Sequence, residues 1–240
     1  MSEQIEKDKI EKDKIYNCDC LEGMKHIPNA SIDLIVTDPP YELETHGGNK
    51  LFKGAKLASG YIDFISDGFN YDACFAEMLR VCKVPNILIF CSNKQLSRIM
   101  SYFEQKKLSV TLLVWHKYNA VPLGNGKYIS DVEFMVYIRD KGAYFNNDAQ
   151  VSAKSKVYRM SSCNEDNIHP TQKPLELIKR LVDMHSQEGQ TVLDPFMGSG
   201  TTAVACIKEK RHFIGFELNK DYYDKACRRI DAERRQLSLF

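Results

Sequence analysis

Short apolar runs alternate with longer amphipathic stretches from about residue 14 onward, and this rhythm constrains the chain more than any other feature. Runs of four to eight β-prone residues read as strands, and stretches with a 3.6-residue period read as helices. Strands separated by helices pair in parallel, and such a sheet needs helices on both faces. The pattern gives strands at 14–18, 32–37, 86–91, 109–115, 132–138, 191–193 and 212–216. It gives helices at 71–83, 94–107, 175–185, 201–210 and 220–236. No helix separates 109–115 from 132–138. These two runs are expected to form an antiparallel hairpin at one sheet edge, joined through the glycine-containing stretch 122–127.

Two segments fit neither period: 42–69, rich in glycine, and 142–168, polar and irregular. Long irregular segments in compact domains are usually functional or disordered. With 240 residues and 43% hydrophobic content, the chain suits one α/β domain at 15–240. A charged tail at 1–14 precedes it, containing the tandem repeat Ile5-Glu6-Lys7-Asp8-Lys9 and Ile10-Glu11-Lys12-Asp13-Lys14.

A net charge of +1 means that any nucleic-acid surface must be local. The charged N-terminus is no secretory signal, and no apolar run is long enough to span a bilayer. A cytoplasmic protein with no membrane partner is expected. Eight cysteines form no C-x-x-C pair and six histidines no H-x-x-x-H pair, so no metal site is expected.

The segment Val192-Leu193-Asp194-Pro195-Phe196-Met197-Gly198-Ser199-Gly200-Thr201-Thr202 reads as strand, glycine turn and helix start. Gly198 and Gly200 can take positive φ and let a ligand approach the backbone, and Thr201 or Thr202 can cap the helix. Open α/β sheets bind ligands at such strand ends. No lysine follows Gly200, so this is not a Walker loop, and the third glycine of a dinucleotide fingerprint is missing. Asp194 suits a cationic ligand portion such as the amino group of a methionine moiety. Glu217 ends the next strand, seventeen residues past Gly200, where a carboxylate can accept both ribose hydroxyls. Asp19, placed at the end of the first strand, can accept from an adenine amino group. Together these fit a nucleoside without a pyrophosphate.

Asp38-Pro39-Pro40-Tyr41 follows the strand at 32–37. Two prolines stiffen the turn and leave carbonyls unpaired. An adenine amine is a poor nucleophile because its lone pair is delocalised into the ring. Asp38 and the Pro39 carbonyl can both accept from that amine, favouring a pyramidal nitrogen and stabilising the positive charge that develops on it. Tyr41 offers a face on which an extruded base can stack.

With both segments in hand, the chain resembles the amino-methyltransferase family of DNA methyltransferases. Asp38 to Tyr41 resemble its catalytic motif IV, Asp194 to Thr202 its motif I, and Glu217 the acid of motif II. Asn17-Cys18-Asp19-Cys20-Leu21 resembles the motif III strand end, and His169-Pro170-Thr171-Gln172-Lys173-Pro174 resembles motif X. The catalytic motif precedes the cofactor motif, as in the family's β class. The resemblance covers roughly residues 14–235 and implies a Rossmann-like, mostly parallel seven-stranded sheet with an antiparallel edge hairpin. It implies S-adenosyl-L-methionine as cofactor and a base-flipped adenine in DNA as substrate. The catalytic residues would be Asp38, Pro39, Pro40 and Tyr41. Cofactor contacts would come from Asp19, Cys20, Asp38, Thr171, Lys173, Asp194, Phe196, Gly198, Ser199, Gly200, Thr201, Thr202, Glu217 and Leu218. Cytosine N4 is the rival target. A catalytically silent cofactor-binding subunit is the rival role, and intact Asp38 and Tyr41 argue against it.

The family places a target-recognition region before motif X. Here only about 30 residues separate Arg139 from His169, with a short recognition segment near 142–168. Basic loops around 50–56 and 154–159 from two copies could form one phosphate-contacting track, and a homodimer is the default assembly.

Overall fold

The computed structural model describes residues 10–40, 69–120, 128–162 and 172–237. Its strands are β1 (Lys14–Tyr16), β2 (Leu34–Thr37), β3 (Asn86–Cys91), β4 (Ser109–His116), β5 (Val132–Arg139), β6 (Val157–Arg159), β7 (Thr191–Asp194) and β8 (His212–Phe216). They form one sheet in the order β1-β8-β7-β2-β3-β5-β4-β6. Only β5 runs against its neighbours, pairing antiparallel with β3 and β4. The remaining pairings are parallel.

The helices are α1 (Cys20–Lys25), α2 (Tyr71–Val81), α3 (Asn93–Gln105), α4 (Leu175–His185), α5 (Thr201–Lys208) and α6 (Lys220–Leu237). One sheet face packs Leu34, Val36, Leu88 and Phe90 against Leu177, Leu181, Ala203, Val204, Ala226 and Ile230 of α4, α5 and α6. The other packs Ile35, Ile87 and Ile89 against Met24, Phe75, Met78, Ile99 and Phe103 of α1, α2 and α3. Strands buried on both faces read as unbroken apolar runs, which is why 86–91 carries no alternation. Among the described residues, no helix is long and apolar enough to cross a membrane.

Three local expectations change. The sheet has eight strands rather than seven: β6 lies outside β4, so the β4–β5 pair is one strand in from the edge. Three residues are too few to show a period. β6 is held instead by Val114 N donating to Lys156 O at 2.8 Å and by Trp115 Nε1 donating to Met160 O at 3.0 Å. β1 stops at Tyr16, so Asp19 is not a strand end but the N-cap of α1, accepting from Leu21 N at 2.9 Å and Glu22 N at 3.2 Å. Part of the charged tail also joins the fold: Asp13 Oδ2 lies 2.7 Å from His212 Nδ1, and Lys14 opens β1.

Candidate active site

β2 and β7 are neighbours in the middle of the sheet and point the same way. Asp38 and the glycine turn therefore leave adjacent strand ends, although 156 positions separate Asp38 from Asp194 in the chain. Thr37, the last residue of β2, donates to Asp194 Oδ1 at 2.9 Å and ties the two ends together.

Asp194 is 4% exposed and accepts two further bonds, from Phe196 N at 3.1 Å and from Thr202 Oγ1 at 2.6 Å. Burial pushes its carboxyl up to about 6, against the pull of those donors. The expected threonine cap does not form. Gly200 is the N-cap of α5 at φ 78°, because Thr202 is committed to Asp194 and Thr201 Oγ1 lies 2.9 Å from Ser199 Oγ. Arg229 of α6 braces this turn, donating to Thr201 Oγ1 at 2.9 Å and Ser199 O at 3.1 Å.

The two turn glycines differ in what surrounds them. A Cβ on Gly200 would sit 3.2 Å from Ala226 Cβ, so its bareness serves packing. A Cβ on Gly198 would meet nothing nearer than Phe196 O at 3.9 Å, so that face of the turn is open to a ligand. Glu217 is 4% exposed and aimed at this turn, accepting from Gly198 N at 2.8 Å and Asn219 N at 2.7 Å. Asn17 donates to the Glu217 and Leu218 carbonyls at 2.8 and 3.0 Å, which brings the Asn17–Asp19 stretch beside Glu217. Leu218 is 40% exposed next to it. Phe196 stands edge-on to Phe69, ring centroids 5.4 Å apart. A carboxylate at the end of β8, an open glycine turn and an exposed apolar side chain form a set that fits a nucleoside with a methionine portion. Cys20 is not brought into this set: its thiol is buried in the core against Cys74, which with burial raises its pKa.

On the Asp38 side, the Pro40 carbonyl accepts from Tyr71 Oη at 2.7 Å and from Gln95 Nε2 at 2.8 Å. Gln95 is 2% exposed, and its Oε1 accepts from Ser92 N at 3.1 Å. The start of α2 and the start of α3 thereby clamp the turn that carries Asp38 and Pro39. Lys173 Nζ bonds Asp38 Oδ2 and lies 3.4 Å from Glu133 Oε2, while Lys117 Nζ lies 2.6 Å from Glu133 Oε1. Asp38, Lys173, Glu133 and Lys117 thus form a line of alternating charge. Burial alone lowers the Lys173 pKa, but the Asp38 and Glu133 carboxylates outweigh it and raise it. Burial likewise works to raise Glu133, and the two ammoniums overcome it and lower its pKa.

Sequence reading did not single out Glu133, Gln95 or Tyr71. Glu133 left a signal, being a charge inside the apolar run 132–138 in register with Trp115. Gln95 and Tyr71 left none, because their role depends on where two helices begin in space. Tyr41, Thr171 and the basic stretch 50–56 lie outside the described residues.

Known proteins resemble this chain in sequence and in fold. Type II methyltransferase M.HinfI of Haemophilus influenzae is 31% identical over 246 residues, an alignment covering 90% of this chain and 67% of that protein. Type II methyltransferase M.HpaI of Haemophilus parainfluenzae is 29% identical over 235 residues, covering 89% and 72%. The crystal structure of the M1.HpyAVI–SAM complex superposes with a TM-score of 0.72 at 27% identity, covering 91% of this chain and 98% of that one. The cytosine-N4-specific PvuII DNA methyltransferase shares the fold, with a TM-score of 0.68 at 15% identity, covering 93% and 91%. The N6/N4 DNA methylase family matches residues 32–228, and the chain belongs to that family.

Proposed function

We propose that this chain transfers a methyl group from S-adenosyl-L-methionine to the N6 amine of adenine in DNA. The observation that carries the reading is the adjacency of two strand ends: Asp38 and Pro39 after β2, and the Glu217-facing glycine turn after β7. Glu217 would hold the ribose, Asp194 and Phe196 the methionine side, and Asp19 and Leu218 the adenine side. Lys173, bonded to Asp38, would close the pocket at its catalytic end. Bound there, the cofactor supplies an electrophilic methyl on a sulfonium.

The chain's own contribution is positioning and charge. Asp38 and the Pro39 carbonyl accept from the target amine and stabilise the charge that grows on its nitrogen. Lys173 fixes the Asp38 rotamer. Clamping of the Pro40 carbonyl fixes the turn that presents the adjacent Pro39 carbonyl. A base inside a duplex cannot reach Asp38, so the target must leave the stack.

Asp38 at the head of the motif, where the family's cytosine-N4 members more often carry serine, favours adenine. Labelled methyl transfer to unmodified genomic DNA, followed by nucleoside mass spectrometry, tests the reading. N6-methyladenine is expected. N4-methylcytosine would overturn the adenine assignment, and no transfer would overturn the catalytic one.

We also propose that two copies act together on DNA, one catalysing and one positioning the duplex. The support is the short span between β5 and motif X, and the exposed Tyr118, Tyr128, Ile129 and Val132 near the outer strands. Light scattering with and without DNA is expected to give a dimer. A monomer that methylates a defined site at full rate would refute it.

A further inference from the structure

Ser109, Asn86 and Arg139 meet in register at the end of the sheet opposite Asp38 and Asp194. A cavity of about 540 Å³ opens there, within the size range of small-molecule sites. Thr111, Leu113 and Tyr137 of β4 and β5 line it, together with His185 at the end of α4, Phe145 and Tyr158.

Two independent observations mark it out. The first is charge. Lys107, Arg139, Lys141, Lys154 and Lys156 line the cavity against a single acid, Asp140. Among the described residues none of the five forms an ion pair, and Lys154 Nζ donates only to the Asn147 carbonyl, at 2.6 Å. Five like charges in one corner of a chain of net charge +1 repel one another and attract an anion.

The second is unmet hydrogen-bonding capacity. His185 Nδ1 is a buried polar atom without a partner among the described residues, on a ring whose centroid lies 4.2 Å from that of Tyr137, whose hydroxyl interacts with Arg139. Such atoms are rare in folded proteins because each forfeits its bonds to water. Burial first, and then Arg139, push the His185 imidazole down to about 3, so it is a neutral hydrogen-bonding group at pH 7. The Phe145 ring stands edge-on to His185 at 5.5 Å, adding aromatic surface to the same wall.

We propose that this cavity is a second ligand site, taking a nucleotide unit with its base against Tyr137, Phe145 and Tyr158 and its phosphate against Arg139 and Lys141. Aromatic walls take the π-face of any base, and the basic rim takes the phosphate. A free nucleotide and a nucleotide within a strand present the same chemistry.

The test is calorimetric titration of the protein, saturated with S-adenosylmethionine to fill the cofactor site, with two probes: thymidine 5′-monophosphate and a single-stranded thymidine oligonucleotide. At least one is expected to bind saturably. Arg139→Ala should weaken that binding about tenfold or more, as loss of a charge-assisted bond does. Lys141→Glu reverses an exposed charge, so it tests the rim even if Arg139→Ala unfolds. Asp38→Ala should leave the affinity unchanged. Binding of the mononucleotide assigns the site to a free nucleotide; binding of the oligonucleotide alone assigns it to a nucleic-acid strand. Failure of both probes to bind, or binding indifferent to Lys141→Glu, would overturn the proposal.

Discussion

Asp38 and Glu217 carry carboxylates of the same chemistry, in settings that give them opposite expected phenotypes. Asp38 faces Lys173 at the end of β2, whereas Glu217 binds backbone N–H groups at the glycine turn. Asp38→Ala should reduce methyl transfer by about 100-fold or more, since charge stabilisation in the transition state is lost, while cofactor affinity measured by calorimetry stays near wild type. Glu217→Ala should weaken S-adenosylmethionine binding by roughly 1.5–3 kcal/mol in the same assay. Near-normal turnover in the first variant, or unchanged affinity in the second, would reverse the roles. Asp194 yields a prediction about stability. Its folded pKa of about 6 lies above its ordinary value of 3.8, so the native state holds the proton more tightly. Its contribution is full below the unfolded pKa and is lost as pH rises through about 6. At roughly 1.4 kcal/mol per pH unit, ionising it costs the fold on the order of 3 kcal/mol. Asp194→Asn should therefore melt above wild type at pH 8, and the gap should close below about pH 4. A gap independent of pH would point to packing rather than charge.

The glycine turn and the short elements show what a sequence can and cannot announce. Gly198 and Gly200 both take positive φ, at 52° and 78°, as their spacing suggested. Only the structure separates them, since one faces open space and the other faces Ala226. Gly200→Ala should destabilise by about 1–2 kcal/mol from backbone strain, with further loss from the close contact. Gly198→Ala should cost only the strain but reduce cofactor affinity, and urea denaturation beside calorimetry separates the two. Equal losses of stability would contradict the difference in surroundings. The parallel sheet and its main helices were legible because long apolar runs and 3.6-residue periods survive any context. α1 and β6 were not, at six and three residues, because Asp19 capping and pairing with β4 define them rather than periodicity. Half of the line of alternating charge was legible, since Asp38 and Lys173 sit in motifs. Glu133 and Lys117 were not assigned, because β5 must first be placed beside β4 for their side chains to meet.

Across the whole molecule, two halves of the chain contribute one motif each and meet along the β2–β7 seam. The strands before that seam carry Asp38, and the elements from α4 onward carry the turn and Glu217. β1 pairs with β8 at the far edge, and Arg234 of α6 donates to the Asp13 carbonyl. The two ends of the described chain therefore lie side by side. Sheet order does not depend on which half is translated first. A circular permutant with a short linker joining those ends and a cut between β6 and α4 would read cofactor half first and catalytic half second. It should fold to the same sheet and keep methyl transfer within about tenfold of the parent, because permutation is tolerated where termini adjoin at a surface. Loss of activity with intact folding would mean that chain continuity into Lys173 holds the charge line together. Retained activity would mean that the order of the two motifs records only where the chain was opened, and that the chemistry is indifferent to it.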